Sequence, residues 1–143
     1  MLRSSLIALA TLVALPTAAH AAAPAGSYKG TSSGKYIQIG SADEPTDKGK
    51  VSVTVKKNKV RDFKLRKQLI QCGPPAEVPV DVAVIKLNSA GKGSATFEDP
   101  AIGALKVSIA VKDSGKASGT IKAQAGASLC DPDYPVKFTA KKS

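Results

Sequence analysis

Residues 48–67 read KGKVSVTVKKNKVRDFKLRK. Valine stands at positions 51, 53 and 55 with polar residues between, and Phe63 and Leu65 resume the alternation after a polar interruption. Period two is the mark of a half-buried strand, and two such runs around a short polar break predict a β-hairpin. A three-residue loop, Lys57-Asn58-Lys59, sets Val53 opposite Phe63 and Val51 opposite Leu65. A two-residue loop would slip the pairing by one and carry Asp62 and Lys64 into the core, so the longer loop is expected. Ser52, Thr54, Lys56, Asp62, Lys64 and Arg66 then face outward, while parity puts Arg61 on the inner face near the tip.

A second hairpin reads the same way. ALKVSIAVK ends at Lys112, Asp113-Ser114-Gly115 follows, and KASGTIKA begins at Lys116. Gly115 suits the left-handed position that three-residue loops need, so Val111 should face Ala117, Ile109 Gly119 and Val107 Ile121. Further alternating runs, separated by turn residues, predict strands at 27–32, 35–39, 50–56, 60–71, 78–87, 93–98, 104–112, 116–123 and 136–141. No window carries a helical stripe. The expectation is an all-β domain over residues 26–143, a single antiparallel sandwich or barrel of about 8–9 strands, mostly hairpin-connected.

The chain opens MLRSSLIALATLVALPTAAHAAA, with Arg3 ahead of an apolar run and Ala19-His20-Ala21 as a small-x-small cleavage site. That is the layout of a secretory signal peptide over residues 1–21, with cleavage after Ala23 as an alternative. The run is too short for a bilayer span, which needs roughly 20 apolar residues. The expected destination is extracellular, or periplasmic in a host with an outer membrane. Export places Cys72 and Cys130 in an oxidising compartment, where a disulfide between them is the default. Closing a loop of that length contributes roughly 4 kcal/mol in the chain-entropy picture.

The motifs GSYKGT from Gly26, Cys72 after a lysine-rich strand, KASGTI from Lys116, and Cys130 ahead of VKFTA ending at Ala140 resemble a group of small secreted proteins known mostly from actinobacteria. The resemblance spans most of the mature domain. It implies secretion, an all-β fold and the disulfide, and it implies nothing catalytic.

Chemistry is limited by what is missing. His20, the one histidine, leaves with the signal peptide, which removes Ser-His and Cys-His mechanisms and ordinary zinc hydrolysis. Ser32 and Lys35, and Ser89 and Lys92, fit an S-x-x-K spacing, but neither pair sits on an expected helix and the partner motifs are absent. Asp43, Glu44, Asp47, Glu98, Asp99, Asp113, Asp131 and Asp133 all fall in turn-like contexts that explain acids without catalysis. With no Trp, three Tyr and three Phe, a sugar-stacking platform is not expected. No phosphate-cradling glycine loop occurs. The reading is a non-enzyme without cofactor or metal.

What remains is charge. The chain carries 21 basic and 11 acidic side chains, and residues 48–67 hold nine of the former against Asp62 alone. Lysine on a solvated strand keeps a sheet soluble and discourages edge pairing. That reading does not explain why Lys50 should face Arg66, a like-charge pair that destabilises. The candidate anion contacts are Lys56, Lys57, Lys59, Arg61, Lys64 and Arg66. Anionic polysaccharide, cell-wall polymer or lipid headgroups suit an exported protein, and nucleic acid is disfavoured because stacking aromatics are missing. The alternative function is a protein-binding module, such as an inhibitor of an extracellular enzyme acting through residues 72–77.

Overall fold

The structure, a computed structural model, describes residues 22–33, 48–70, 76–77, 79–100, 103–124 and 136–143. The expected signal peptide, the strand at 35–39, and Cys72 and Cys130 with their disulfide lie outside the described residues.

Alternation builds β-strands throughout, and no helix occurs among the described residues. In chain order they are β1 (Gly26–Ser33), β2 (Lys50–Lys56), β3 (Lys59–Arg66), β4 (Leu69–Ile70), β5 (Ala76–Glu77), β6 (Val80–Val82), β7 (Ile85–Lys86), β8 (Lys92–Asp99), β9 (Gly103–Lys112), β10 (Lys116–Ala123) and β11 (Val136–Lys142). Nine form one antiparallel sheet in the order β6-β3-β2-β1-β11-β10-β9-β8, with β7 also paired to β3; β4 and β5 make a separate ribbon. β6 and β7 come round against β8, so the sheet nearly closes as a barrel. One sheet bent nearly into a barrel, rather than two stacked sheets, is the architecture of the described residues.

The hairpin of β9 and β10 has the expected register: Val111 opposite Ala117, Ile109 opposite Gly119, Val107 opposite Ile121. Gly115 adopts φ 74° and donates its amide to Lys112 O at 3.0 Å, closing the three-residue loop.

The β2–β3 hairpin reaches the expected pairs by another route. Val51 faces Leu65 and Val53 faces Phe63, but Val55 faces Val60 and Lys56 faces Lys59. The connection is therefore a two-residue turn, Lys57-Asn58, with φ of 50° and 55°, as the type I′ geometry requires. A β-bulge beside Val55 absorbs the one-residue slip that this turn introduces. Arg61 and Asp62 consequently both turn away from the core. Arg61 is exposed, not inward, and Val60 takes the inner position that parity had assigned to it.

The distortion continues into the next strands. Val60 pairs with Ile85 and Phe63 with Val82, so residues 83 and 84 lie opposite the bulge. Ala83 and Val84 also both point outward, which splits the expected strand at 78–87 into β6 and β7 and leaves Val84 43% exposed. The expected strand at 60–71 likewise ends at Arg66, where Lys67 turns the chain at φ 58°.

The core gathers the inward residues of every long strand, among them Val51, Val53, Val60, Leu65, Leu105, Val107 and Ile109. Phe63 of β3 and Phe138 of β11 meet across the interior with ring centroids 5.1 Å apart and a tilt of 55°, a favourable offset for aromatic pairs. Tyr28 is fully buried and its hydroxyl donates to Pro24 O at 2.7 Å. Ser32 donates to Gln68 within the same interior, satisfying two buried polar groups together. Ala23, ahead of the expected domain start at 26, belongs to the core.

Candidate functional site: a basic outer face

The cations of the β2–β3 hairpin separate by their surroundings. At the tip, Lys56 lies opposite Lys59, and Lys59 lies opposite Lys86 on β7. Lys57 occupies the first turn position and Arg61 stands out on the bulge. Lys56, Lys57, Arg61 and Lys86 are exposed, and Lys59 is half-buried. Among the described residues, none of these five has an ion-pair partner.

Further along the strands the charges are compensated. Lys64 Nζ lies 3.0 Å from Asp62 Oδ2. Arg66 places Nη2 at 2.8 and 2.9 Å from the two Asp81 oxygens and donates through Nη1 to the carbonyls of Leu65 and Val80 at 3.0 and 3.4 Å. Arg66 therefore fastens β6 to β3, one guanidinium nitrogen on the Asp81 carboxylate and the other on backbone carbonyls. Lys50 does face Arg66, but the guanidinium it meets is already neutralised by Asp81. Both ion pairs are about half exposed, so each contributes only ~0–1 kcal/mol.

A second concentration of charge comes from four strands. Lys29 on β1 lies opposite Lys141 on β11, Lys141 opposite Lys116 on β10, and Lys116 opposite Lys112 on β9. All four are exposed. Adjacent strands are about 4.8 Å apart, so the row runs across roughly 14 Å of sheet. At about 5 Å, neighbouring like charges repel by ~0.8 kcal/mol in water, and physiological salt removes roughly half of that. Among the described residues none of the four has an ion-pair partner.

Beside this row, one residue pair along the strands, Thr31, Thr139 and Ser118 stand opposite one another in turn. Their hydroxyls have no hydrogen-bond partner among the described residues. The lysines and these hydroxyls line one groove of about 460 Å³ on the outer face of the barrel, with Gly30 in its lining. A Cβ at Gly30 would fall 1.8 Å from Thr139 O, so only glycine lets β1 and β11 approach as they do here.

Sequence reasoning singled out Lys56, Lys57, Lys59, Arg61, Lys64 and Arg66, and missed Lys86 at the tip and the whole lysine row. Lys112 and Lys116 were within reach, since they flank a loop whose register was legible. Lys29 and Lys141 were not, because their pairing joins the two ends of the domain.

Among the described residues no group of three or more His, Cys, Asp or Glu side chains could hold a metal ion, and no helix is long and apolar enough to cross a membrane. Burial raises the Tyr28 hydroxyl above its ordinary pKa. Compared with protein-family models and with curated proteins, the chain matches none.

Proposed function

We propose that the chain is an exported, non-catalytic β-barrel domain that holds an anionic polymer or surface of the cell envelope through the tip of the β2–β3 hairpin. The carrying observation is the cluster of Lys56, Lys57, Lys59, Arg61 and Lys86 without a counter-charge among the described residues. Lys57 strengthens the reading. At φ 50° it occupies a left-handed position where glycine or asparagine fits with less strain, and a lysine there adds charge at the expense of stability. The leader at residues 1–21 supports export, and export supports a disulfide between Cys72 and Cys130.

The test compares two charge reversals of equal size. Lys56→Glu with Lys57→Glu alters the tip, and Lys106→Glu with Lys122→Glu alters a like-charged pair elsewhere on the sheet. Retention on isolated cell-envelope polymer should fall steeply for the tip variant and little for the control, and rising salt should release the native protein. Equal losses would reduce the effect to net charge. Retention insensitive to salt would point to insertion of a loop into a protein target.

A further inference from the structure

The row formed by Lys29, Lys141, Lys116 and Lys112 uses no residue of the hairpin tip, and its test stands apart from that of the tip. We propose that this row, with Thr31, Thr139 and Ser118 beside it, is a second binding site, and that its ligand is a linear phosphate-bearing polymer without bases.

The geometry carries the class of ligand. Four ammonium groups rooted on four adjacent strands form a line across the sheet, which suits anionic groups repeated along a chain better than one compact anion. Like charges set directly opposite destabilise a sheet, and here three such pairs follow in succession with no acid ion-paired to any of the four lysines among the described residues. A polyanion lying along the row relieves all three at once. The neighbouring hydroxyls add neutral donors one row away in the same groove. A phosphate can accept from a lysine and a hydroxyl together because it presents several unesterified oxygens.

The residues absent from the groove narrow the ligand further. No aromatic side chain lines it, so neither base stacking nor sugar stacking is provided. No arginine lines it either, so planar bidentate recognition of carboxylates is missing, while lysine serves phosphate as a point charge. Asp113 sits at the adjoining hairpin tip next to Lys116 and Lys141 without pairing to them, and it would turn a negative chain back along the row.

The experiment measures binding of inorganic polyphosphate, orthophosphate and polyglutamate to the full mature protein by calorimetry across a salt series. Polyphosphate should bind, and orthophosphate should bind far more weakly because it meets only one or two lysines. The neutralising variant Lys116→Gln with Lys141→Gln should bind polyphosphate about tenfold more weakly, with a salt slope shallower by roughly 1.4, about 0.7 for each cation removed. The tip variant Lys56→Glu with Lys57→Glu should keep this site, so loss in one variant without the other separates the two proposals. Should the neutralised protein fail to fold, amide shift changes in the native protein on adding polyphosphate serve instead, centred on Lys29, Thr31, Ser118, Thr139 and Lys141. Unchanged affinity in the Lys116→Gln, Lys141→Gln variant, or shifts confined to residues 56–61, would overturn the site. Equal binding of polyglutamate would overturn the phosphate assignment.

Discussion

Asn58 accepts a hydrogen bond from the Ala23 amide at 3.3 Å through its Oδ1 and donates from Nδ2 to Leu87 O at 3.2 Å. The β2–β3 turn thereby ties down both the start of the domain and the end of β7. Ala23 is 6% exposed and sits in the core. Cleavage after Ala23 would discard this contact and a buried core residue, whereas cleavage after Ala21 keeps both. Amino-terminal sequencing of exported protein should therefore begin at Ala22. A sequence beginning at Pro24 would show that the contact is dispensable.

Lys57→Gly should separate stability from binding. Glycine removes the left-handed strain that a lysine bears at φ 50°, a relief of about 1 kcal/mol less the greater freedom of the unfolded chain. The expected net change in a denaturant melt is a gain of about 0–0.6 kcal/mol. Retention on anionic polymer should fall because a tip cation is gone. A variant both less stable and equally well retained would remove the argument that Lys57 is held there by function.

How far the fold could be read depended on the distance between partners. The β9–β10 hairpin was legible in full because Gly115 names its loop and alternation names its inner face. The β2–β3 hairpin gave the correct pairs Val51–Leu65 and Val53–Phe63 with the wrong turn, since a two-residue turn plus a bulge produces the same pairs as a three-residue loop away from the tip. Alternation cannot distinguish the two, so Arg61 was misplaced. The break at Ala83 and Val84 was hidden for a related reason: its cause lies on β3, across the sheet. The lysine row was least legible. Its first contact, Lys29 opposite Lys141, depends on β1 pairing with β11, and no local pattern announces a pairing between the first and last strands of the domain.

The aromatic contact between β3 and β11 can be tested directly. Phe63 and Phe138 are both fully or almost fully buried, so Phe138→Ala should cost ~3–5 kcal/mol. The double variant Phe63→Ala, Phe138→Ala should fall short of the sum of the two single losses, because the rings share one contact. Strict additivity in a denaturant-based double-mutant cycle would mean that β3 and β11 do not meet through these rings.

The proposed bridge between Cys72 and Cys130 predicts exported protein two hydrogens lighter than its reduced form and without alkylatable thiols. Replacing both cysteines by alanine should lower stability by ~2–5 kcal/mol. Two reactive thiols in freshly exported protein would end the proposal.

Tyr28 should make the domain less stable in alkali. Its hydroxyl is buried and donates to Pro24 O at 2.7 Å, and burial raises its pKa because the phenolate would lose its hydration. In the unfolded chain the group ionises near pH ~10. A proton held more tightly in the folded state stabilises that state fully below the unfolded pKa, and the contribution is lost as pH rises from there through the raised folded value. Stability should therefore decline above about pH 10. Tyr28→Phe should cost about 1 kcal/mol at neutral pH through the lost hydrogen bond, yet lose less than the native protein between neutral pH and strong alkali. Denaturant melts of the two proteins across that range measure the difference directly, and parallel declines would show that Tyr28 does not govern alkaline unfolding.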